Sequence, residues 1–450
     1  MRSTEIWRPG LMTALMQDVA SARDALKASF MDGNLASVEV RQKRVAAVEA
    51  MLTDHLDEAS TALATDMGRP KGEADAECFI AIREARDIGA RIATWAVPES
   101  HSVHIMMQPA EAAVRRSPFG AVLIIAPYNY PLLLAIEPLL GAIGAGNTVM
   151  LKPSELTPAT AAFLAKYLPE YLPSDICRVT TGGVDMSTAL LATQWDFIFF
   201  TGSPRVGRIV AKAAAEYMTP TALELGGKAP AIVHESAAVR EAARRLINTK
   251  AINVGQTCAS SRAFRILLGH MRLLQHMHRY AFALTCVSLV PRPPSINRRA
   301  SACVRAPAPY CVVTCLARRA PTRLLACSEG CTSARCSCMA PDYVLVDAAR
   351  HDELIEALEA EISTQFGAQP ASSPDLGRMC TVDHFDRMTK LLATGGGTQR
   401  RVGDAPPDRA TKWVAGRAAT HAMQCAHPRA PTPTLAGKPS CACALAGTCR

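Results

Sequence analysis

Residues 120–127 read Gly-Ala-Val-Leu-Ile-Ile-Ala-Pro, an apolar run of strand length that ends at a proline. A helix-like stretch follows at 131–144, and a second strand-like run at 148–152 precedes another helix-like stretch at 157–171. Apolar strands that alternate with helices are typical of a parallel sheet covered on both faces. The sequence therefore predicts an α/β fold with a doubly wound parallel sheet.

The same alternation continues toward the middle of the chain. Strands are predicted at 176–180, 195–201 and 221–225, with a helix at 206–217 between the last two. Helix resumes from Ala237, with Ser236 as the expected N-cap. Apolar residues at three- and four-residue steps predict one long amphipathic helix near the N-terminus; they are Val45, Val48, Leu52, Leu56, Ala59 and Leu63.

Charge is distributed unevenly along the 450 residues. The net charge of +9 comes from residues 259–338, which hold twelve arginines, one glutamate, and no lysine or aspartate; the rest of the chain carries about −2. No run of eighteen apolar residues occurs, so no transmembrane helix is predicted. The N-terminus lacks the apolar stretch of a secretory signal.

The cysteines divide in the same way. Eight of the sixteen lie in residues 259–338 and four more in residues 405–450. The remaining four fit a reduced intracellular protein without disulfides, which we expect in the cytoplasm, with an organelle as the alternative. These four are Cys78, Cys177, Cys258 and Cys380.

Two short blocks supply groups for covalent catalysis. The block Leu-Glu-Leu-Gly-Gly-Lys at 223–228 places Glu224 among small and apolar neighbours, which predicts a partly desolvated general base. The block Asn-Val-Gly-Gln-Thr-Cys at 253–258 ends in Cys258. A thiol and a separate carboxylate can form and hydrolyse an acyl-enzyme.

Each of these residues also has an ordinary structural reading. A lone cysteine is most often a buried apolar residue, and a glutamate at a strand end is usually solvated. Asn129, in Pro-Tyr-Asn-Tyr-Pro at 127–131, is equally typical of a turn. Taken singly, these residues leave both readings open.

Together with Phe-Phe-Thr-Gly-Ser-Pro-Arg-Val-Gly at 199–207, the two blocks closely resemble the aldehyde dehydrogenase superfamily, nearest its class 3 or fatty-aldehyde branch. The resemblance covers residues from about 20 to 258 and 339–404, in the family's order. It implies N-terminal helices and an NAD-binding domain at 1–225. It also implies a partial catalytic domain made of 226–258 and 339–404.

The resemblance assigns roles to the catalytic candidates in the oxidation of an aldehyde to a carboxylic acid. Cys258 would attack the aldehyde carbon, and Glu224 would activate the water that cleaves the resulting thioester. The side-chain amide of Asn129, with the backbone N–H of Cys258, would form the oxyanion hole.

The cofactor implied by the resemblance is NAD, with NADP possible. Lys152 and Glu155 would hold the adenosine ribose, where a carboxylate repels a 2′-phosphate. Gly202 and Ser203 would approach the pyrophosphate at a helix start, although no GxGxxG fingerprint is present. The full set expected to contact the cofactor is Pro127, Tyr128, Lys152, Glu155, Gly202, Ser203, Val206, Gly207 and Leu225.

Two segments resemble nothing in the family. Residues 259–338 and 405–450 are rich in Arg, Cys, Ala and Pro, poor in acids, and predicted to be disordered. A Glu-Ile-Phe-Gly-Pro block of the family is missing, so a missing C-terminal part is expected. Because the two segments share the composition of translated non-coding sequence, an alternative is a mis-spliced, catalytically impaired product that retains at most cofactor binding.

The insertion also admits a functional reading. Cys327, Cys331, Cys336 and Cys338 suggest a zinc site, and the arginines suggest a nucleic-acid surface. The cysteine spacing fits zinc poorly, and aromatic platforms for bases are few. We therefore expect no metal and no nucleic acid, a small-molecule aldehyde as partner, and no membrane anchor. Class 3 relatives are often homodimers, which the sequence leaves open here.

Overall fold

The computed structural model describes residues 9–257 except Lys228, residues 341–394 except Asp342, and three isolated short strands. The first half contains α1 Pro9–Met31, α2 Val38–Asp54, α3 Leu56–Met67, α4 Lys71–Trp95, β1 Glu99–His101, β2 Ala112–Val114, β3 Ala121–Ile125, α5 Leu133–Ala145, β4 Thr148–Lys152, α6 Pro158–Tyr171, β5 Cys177–Val179, α7 Val184–Leu191, β6 Phe197–Gly202, α8 Pro204–Glu216 and β7 Thr221–Leu225. There follow β8 Pro230–Val233, α9 Val239–Ala251, β9 Arg265–Leu268, β10 Tyr343–Val346, α10 His351–Phe366, α11 Val382–Thr394, β11 Thr398–Gln399 and β12 Gln424–Ala426.

The first sheet has the order β5-β4-β3-β6-β7, and every neighbouring pair is parallel. All residues of β3 and β4 are buried. Alternate residues of β3 enter different cores: Val122 and Ile124 pack with α2–α6, whereas Leu123 and Ile125 pack with α1, α7 and α8. The predicted doubly wound parallel sheet is confirmed.

The second sheet has the order β11-β12-β9-β10-β8, in which β10 is parallel to both β8 and β9. Its core is closed by α9 and α10 through Leu246, Ile247, Leu354, Leu358 and Ile362. The sequence predicts a strand at 339–346 followed by a helix with Leu354, Leu358 and Ile362 on one face. Both elements are present: β10 covers Tyr343–Val346, and residues 339, 340 and 342 of the predicted strand lie outside the described residues.

The prediction of one continuous helix over Val45–Leu63 is wrong in one respect, because the helix is interrupted at His55. This residue leaves helical geometry (φ −116°, ψ 28°) between α2 and α3. Its ring stacks on Tyr167 of α6 at 3.8 Å between centroids and lies 3.3 Å from a carboxylate oxygen of Glu58. The helix resumes after this one residue, so Ala59 and Leu63 still reach the core.

The start of α9 also differs from the prediction. Its N-cap is Ala238, not Ser236. The Ser236 hydroxyl lies 3.0 Å from Nδ1 of His234, so it is engaged in the preceding turn and does not cap the helix. The helix consequently begins two residues later than expected.

The predicted disorder at 259–338 and 405–450 falls outside the described residues, apart from β9 and β12. The alternative zinc cysteines, from Cys327 to Cys338, also lie outside them. Among the described helices, none combines the length and apolar character needed to cross a bilayer.

Gly120 generates a prediction about stability. Its φ is +138°, and a Cβ at this position would overlap the carboxyl group of Asp196. That carboxylate is held in place by Lys27 Nζ at 2.7 Å and by the backbone N–H of Ala121 at 2.7 Å. We expect Gly120→Ala to lower the free energy of unfolding by about 2 kcal/mol or more, from backbone strain and the clash.

Gly72→Ala is the matched control, because nothing lies within 4 Å of a Cβ at Gly72 inside α4. Alanine is the better helix former by about 1 kcal/mol, so this variant should be neutral or slightly stabilised. Denaturant unfolding measures both. Equal midpoints for Gly120→Ala and the parent would contradict the prediction.

Candidate functional site

The described candidate residues meet at one edge of the first sheet. Parallel strands place their carboxyl ends side by side, and ligands bind there where the strand order reverses. The order reverses between β3 and β6, which are hydrogen-bonded neighbours. Pro127, Tyr128 and Asn129 follow β3, Lys152 ends β4, Gly202 ends β6, and Leu225 ends β7.

Lys152 and Glu155 form an ion pair at this edge. The ammonium of Lys152, whose side chain is 2% exposed, donates to Glu155 Oε2 at 2.8 Å and to the carbonyl of Pro153 at 3.2 Å. Burial acts to raise the pKa of Glu155, but the hydrogen bond from Lys152, a backbone hydrogen bond and the lysine charge together hold it below its ordinary value. Glu155 thus presents an ionised acceptor, suited to a ribose hydroxyl.

Gly202 and Ser203 connect β6 to α8. A Cβ on Gly202 would lie 2.5 Å from the ring of Phe200, so only glycine fits without displacement of that ring. Ser203 is the N-cap of α8, and its hydroxyl accepts from the N–H of Val206 at 3.3 Å. The N–H of Gly207 donates to the carbonyl of Ser203 at 2.9 Å. The backbone amides of Val206 and Gly207 therefore already have hydrogen-bond partners. The start of α8 can still attract an anion through the helix dipole.

Glu224 lies one residue before the end of β7 and is exposed, as is Leu225. The predicted desolvation by Leu223, Gly226 and Gly227 is therefore not found, because β7 is the outer strand of its sheet and these small neighbours do not cover the carboxylate. Thr201 is its register partner on β6, which places Glu224 at the same edge as Gly202.

Asn129 and Tyr130 contact the residues that lead to Cys258. The side-chain amide of Asn253 donates to the backbone carbonyl of Asn129 at 2.7 Å. The hydroxyl groups of Tyr130 and Thr257 are 3.3 Å apart. Cys258 itself lies outside the described residues, but Thr257, its chain neighbour, is buried beside the Asn129 turn. The structure thus joins two of the predicted blocks.

A buried polar group that the sequence reading missed supports this contact. Arg69 and Glu77 form an ion pair with side chains only 1% exposed each. Arg69 also donates to Asn253 and to the carbonyl of Asn129. The burial of Glu77 could have been predicted from the sequence, because Glu77 falls on the face of α4 that otherwise buries Ala74, Cys78, Ala81 and Ala85. No such pattern in the sequence predicts the burial of Arg69.

The turn before Cys258 has an unusual backbone. Asn253, Val254 and Gly255 all have positive φ, at 49°, 56° and 68°. Such a conformation costs about 1–3 kcal/mol for a residue other than glycine. It is offset by the packing of Val254 in a small core with Leu376 and Met379. Asparagine tolerates this region best among non-glycine residues.

Gln256 connects the same turn to the segment after α10. Its side-chain amide donates to the carbonyl of Arg378 at 2.9 Å, and its side-chain oxygen accepts from the N–H of Cys380 at 2.9 Å. Residues before and after the insertion are therefore hydrogen-bonded directly beside the predicted nucleophile. Tyr128 adds a further link, since its ring lies 4.9 Å from that of His384 on α11.

The described cysteines are poor nucleophiles. Burial raises the thiol pKa of Cys78, Cys177 and Cys380 to about 12 in each case. The thiolate is the reactive form of cysteine, so these three remain protonated at neutral pH. The described residues also contain no cluster of three or more His, Cys, Asp or Glu side chains placed to hold a metal ion.

One cavity among the described residues lies away from this edge. It measures about 810 Å³ and is lined by residues of α2, α4 and α5, including Arg41, Arg91 and Trp95. It shares no residue with the predicted site. We therefore assign the site from the sheet edge and its contacts.

The first sheet defines an α/β protein of the class that binds ligands at the carboxyl ends of its parallel strands. Residues 10–275 match the family model "Aldehyde dehydrogenase family", which covers more than half of the chain. The chain belongs to the aldehyde dehydrogenase family. The match extends past Cys258, beyond the end of the first block of resemblance predicted above.

Individual proteins show the same likeness. Aldehyde dehydrogenase family 3 member F1 of Arabidopsis thaliana is 39% identical over 255 residues, 55% of this chain and 52% of that protein. This agrees with the predicted class 3 branch. The chain spans less than two thirds of the length of this relative, of family 3 member H1 of Arabidopsis thaliana and of an aldehyde dehydrogenase of Craterostigma plantagineum.

Two solved structures extend the comparison. The substrate-bound AldH of Staphylococcus aureus superposes with a TM-score of 0.65 and 25% identity, over 90% of this chain and 74% of that one. A mutant of aldehyde dehydrogenase C from Pseudomonas syringae, in complex with NAD+ and octanal, gives a TM-score of 0.51 and 28% identity over 60% and 55%.

The Lys152–Glu155 pair generates a prediction about pH. Because the folded-state pKa of Glu155 is lowered from its ordinary 4.5, the ionised pair stabilises the protein above that pH. This contribution is lost as the pH falls through the folded-state pKa. We expect Glu155→Gln to lower Tm at pH 7, since it removes the anionic partner of the buried ammonium, and the difference from the parent to shrink below about pH 4.

Glu111→Gln is the control, because Glu111 lies exposed before β2. Thermal melts of both variants and the parent between about pH 3 and pH 7 measure the effect. A Tm difference for Glu155→Gln that stays constant over this range would show that the pair contributes no pH-linked stability.

Proposed function

We propose that this chain carries the site for NAD(P)-dependent oxidation of an aldehyde to a carboxylic acid. The observation that carries the proposal is the contact of the Asn129–Tyr130 turn with Asn253 and Thr257, directly before Cys258. Membership of the aldehyde dehydrogenase family supports it. Octanal in the Pseudomonas neighbour supports a medium or long aliphatic aldehyde as substrate, with an aromatic aldehyde as the alternative.

The proposed chemistry uses three groups of this chain. The Cys258 thiolate attacks the aldehyde carbon, and the negative charge on its oxygen is stabilised by the Asn129 amide and the Cys258 N–H. The cofactor, when bound, supplies the acceptor for the hydride that leaves the thiohemiacetal. Glu224 then takes a proton from water, which attacks the thioester carbon and releases the carboxylic acid and the thiol.

The exposed position of Glu224 is compatible with this role, because a water-activating carboxylate must be reached by water. The carboxylate form of a glutamate is the form that accepts a proton from water. In this proposal Glu224 acts from the outer strand β7, whereas Asn129 acts from the turn after β3.

The residues at the sheet edge fit a nicotinamide dinucleotide. The Glu155 carboxylate, ionised and held by Lys152, is an acceptor for ribose hydroxyls and disfavours a 2′-phosphate, which favours NAD over NADP. The start of α8 at Gly202 and Ser203 provides a positive dipole for a pyrophosphate. Pro127, Tyr128, Val206, Gly207 and Leu225 complete the proposed contact set.

A paired experiment tests the proposal on the full chain. NADH formation from NAD and octanal is followed by absorbance, and Tm is measured with NAD, with NADP and without cofactor. NADH formation with a rise in Tm supports the proposal. A rise in Tm without NADH supports the impaired, cofactor-binding alternative. No effect of either cofactor on Tm would refute the assigned cofactor edge.

Substitutions of the two reactive groups give distinct kinetic predictions. Cys258→Ser should reduce NADH formation by about 10³-fold or more, since it removes the nucleophile. Glu224→Gln should spare the first turnover and slow thioester hydrolysis by about 10²–10⁴-fold. Stopped-flow absorbance should therefore show an NADH burst with little steady-state rate in the second variant.

Cys177→Ala and Glu216→Gln are the matched controls. Cys177 is a protonated thiol in the sheet core, and Glu216 is an exposed carboxylate at the end of α8. Both should retain the parent's kinetics. If Cys258→Ser or Glu224→Gln did the same, the role assigned to that residue would be wrong.

A further inference from the structure

Arg69 occupies a single-residue link between two helices. Gly68 ends α3 in a left-handed conformation (φ +56°, ψ 32°), and Pro70 is the N-cap of α4. The backbone therefore changes direction on both sides of Arg69, and its side chain points into the protein, where it is 1% exposed. A buried guanidinium must have its donors paired to be tolerated.

The guanidinium of Arg69 donates to three separate parts of the chain. Its Nε donates to Oδ1 of Asn253 at 3.1 Å, one Nη to the carboxylate of Glu77, and the other Nη to the backbone carbonyl of Asn129. The ring of Tyr130 lies 4.9 Å from the guanidinium carbon, within cation–π range. One planar group thus joins α4, the turn after β3 and the turn before Cys258.

Glu77 holds the other end of the turn after β3. Its Oε1 accepts from the backbone N–H groups of Leu132 and Leu133, at 3.0 and 2.9 Å, at the start of α5. A carboxylate is favourable at a helix N-terminus. The Arg69–Glu77 pair therefore fixes residues 129–133 by their carbonyl at one end and their amides at the other.

Asn253 connects this pair to the strained turn. Its side-chain amide donates both to the carbonyl of Asn129, at 2.7 Å, and to that of Gln256, at 3.1 Å. Its backbone N–H donates to Oε2 of Glu73 on α4 at 3.0 Å. A left-handed turn at non-glycine residues is maintained only where several surrounding contacts hold it in place. Here Arg69, Glu73 and Asn129 make those contacts with Asn253.

We infer that Arg69 is a positioning residue, which aligns the turn carrying Asn129 with the turn 253–257 and so sets the geometry of the proposed oxyanion hole. It acts through Asn129 and Asn253 and touches no reacting atom. This inference rests on the proposed function for its kinetic consequence. The alignment of the two turns is itself measurable without any catalysis.

The positioning role of Arg69 depends on the shape of the arginine side chain. A lysine keeps the positive charge that Glu77 requires, but it lacks the planar fork that reaches several acceptors at fixed angles. Arg69→Lys should therefore fold while it loosens both turns. A misplacement of about 1 Å in a catalytic group can reduce the rate about 10²-fold.

The experiment compares Arg69→Lys with Arg86→Lys in the full chain. Arg86 lies on α4 and makes an exposed ion pair with Glu49 at 2.8 Å, so its replacement controls for the substitution type. Hydrogen exchange is measured at peptide level over 129–133 and 253–257. NADH formation from NAD and octanal gives kcat and KM, and Tm with and without NAD reports cofactor binding.

For Arg69→Lys we expect exchange in both turns to rise by about 10-fold or more and kcat to fall by about 10²-fold. The rise in Tm with NAD and the KM for the aldehyde should stay near the parent values. Exchange and kcat equal to those of Arg86→Lys would overturn the inference. A parallel loss of cofactor binding and kcat would also overturn it, since that would show a general structural role.

Two further outcomes distinguish a failure of this inference from a failure of the proposed function. If the parent forms no NADH, the proposed function fails, and hydrogen exchange alone decides whether Arg69 aligns the two turns. If Arg69→Lys fails to fold, Asn253→Gly takes its place, because glycine keeps the left-handed backbone and removes only the bridging amide. Faster exchange in both turns of Asn253→Gly supports the alignment, and unchanged exchange overturns it.

Discussion

Two strands buried on both faces, β3 and β4, impose the main constraint on this structure, because the other strands of the first sheet extend them and the helices α1–α8 pack around that sheet. Their cover comes largely from helices that precede the sheet in the chain. Polar contacts fix those helices in place. Thr148 donates to the carbonyl of Leu26 in α1 at 2.9 Å, and Asp66 of α3 accepts from the N–H groups of Ala159 and Thr160 at the start of α6. These contacts fix α1 against the start of β4 and α3 against the start of α6.

The part of the fold that follows apolar periodicity could be predicted from the sequence. The five strands and their parallel arrangement follow from apolar runs that alternate with helices, and the strands begin and end within two residues of the expected bounds. Helix α4 gives a weaker pattern, because its buried face consists mostly of small residues such as Ala74, Cys78 and Ala81. The break at His55 does not interrupt the apolar periodicity, and the ring that stacks on His55 belongs to Tyr167, more than one hundred residues away.

The candidate site likewise has a part that could be predicted from the sequence and a part that could not. Strand ends are local features, so Lys152, Glu155, Gly202 and Leu225 could be placed at one edge from the order of strands alone. The contact of Asn129 with Asn253 joins residues 124 positions apart, and it is made through a side chain that resembles any other turn asparagine. Burial is likewise a tertiary property. For Glu224, apolar neighbours in the sequence predicted a covered carboxylate, but an outer strand leaves it exposed.

The pairing of β8 with β10 has a consequence for synthesis of the chain. Residues Pro230–Val233 find their partner only at Tyr343–Val346, more than one hundred residues later. At a translation rate of about 5–20 residues per second, β8 waits roughly 6–20 s on the ribosome with an unpaired edge. The first sheet, in contrast, is complete by residue 225. During this interval the first sheet can fold while β8 remains an unpaired strand. Unpaired strand edges on a partly folded chain are prone to aggregation and are the kind of surface that chaperones protect.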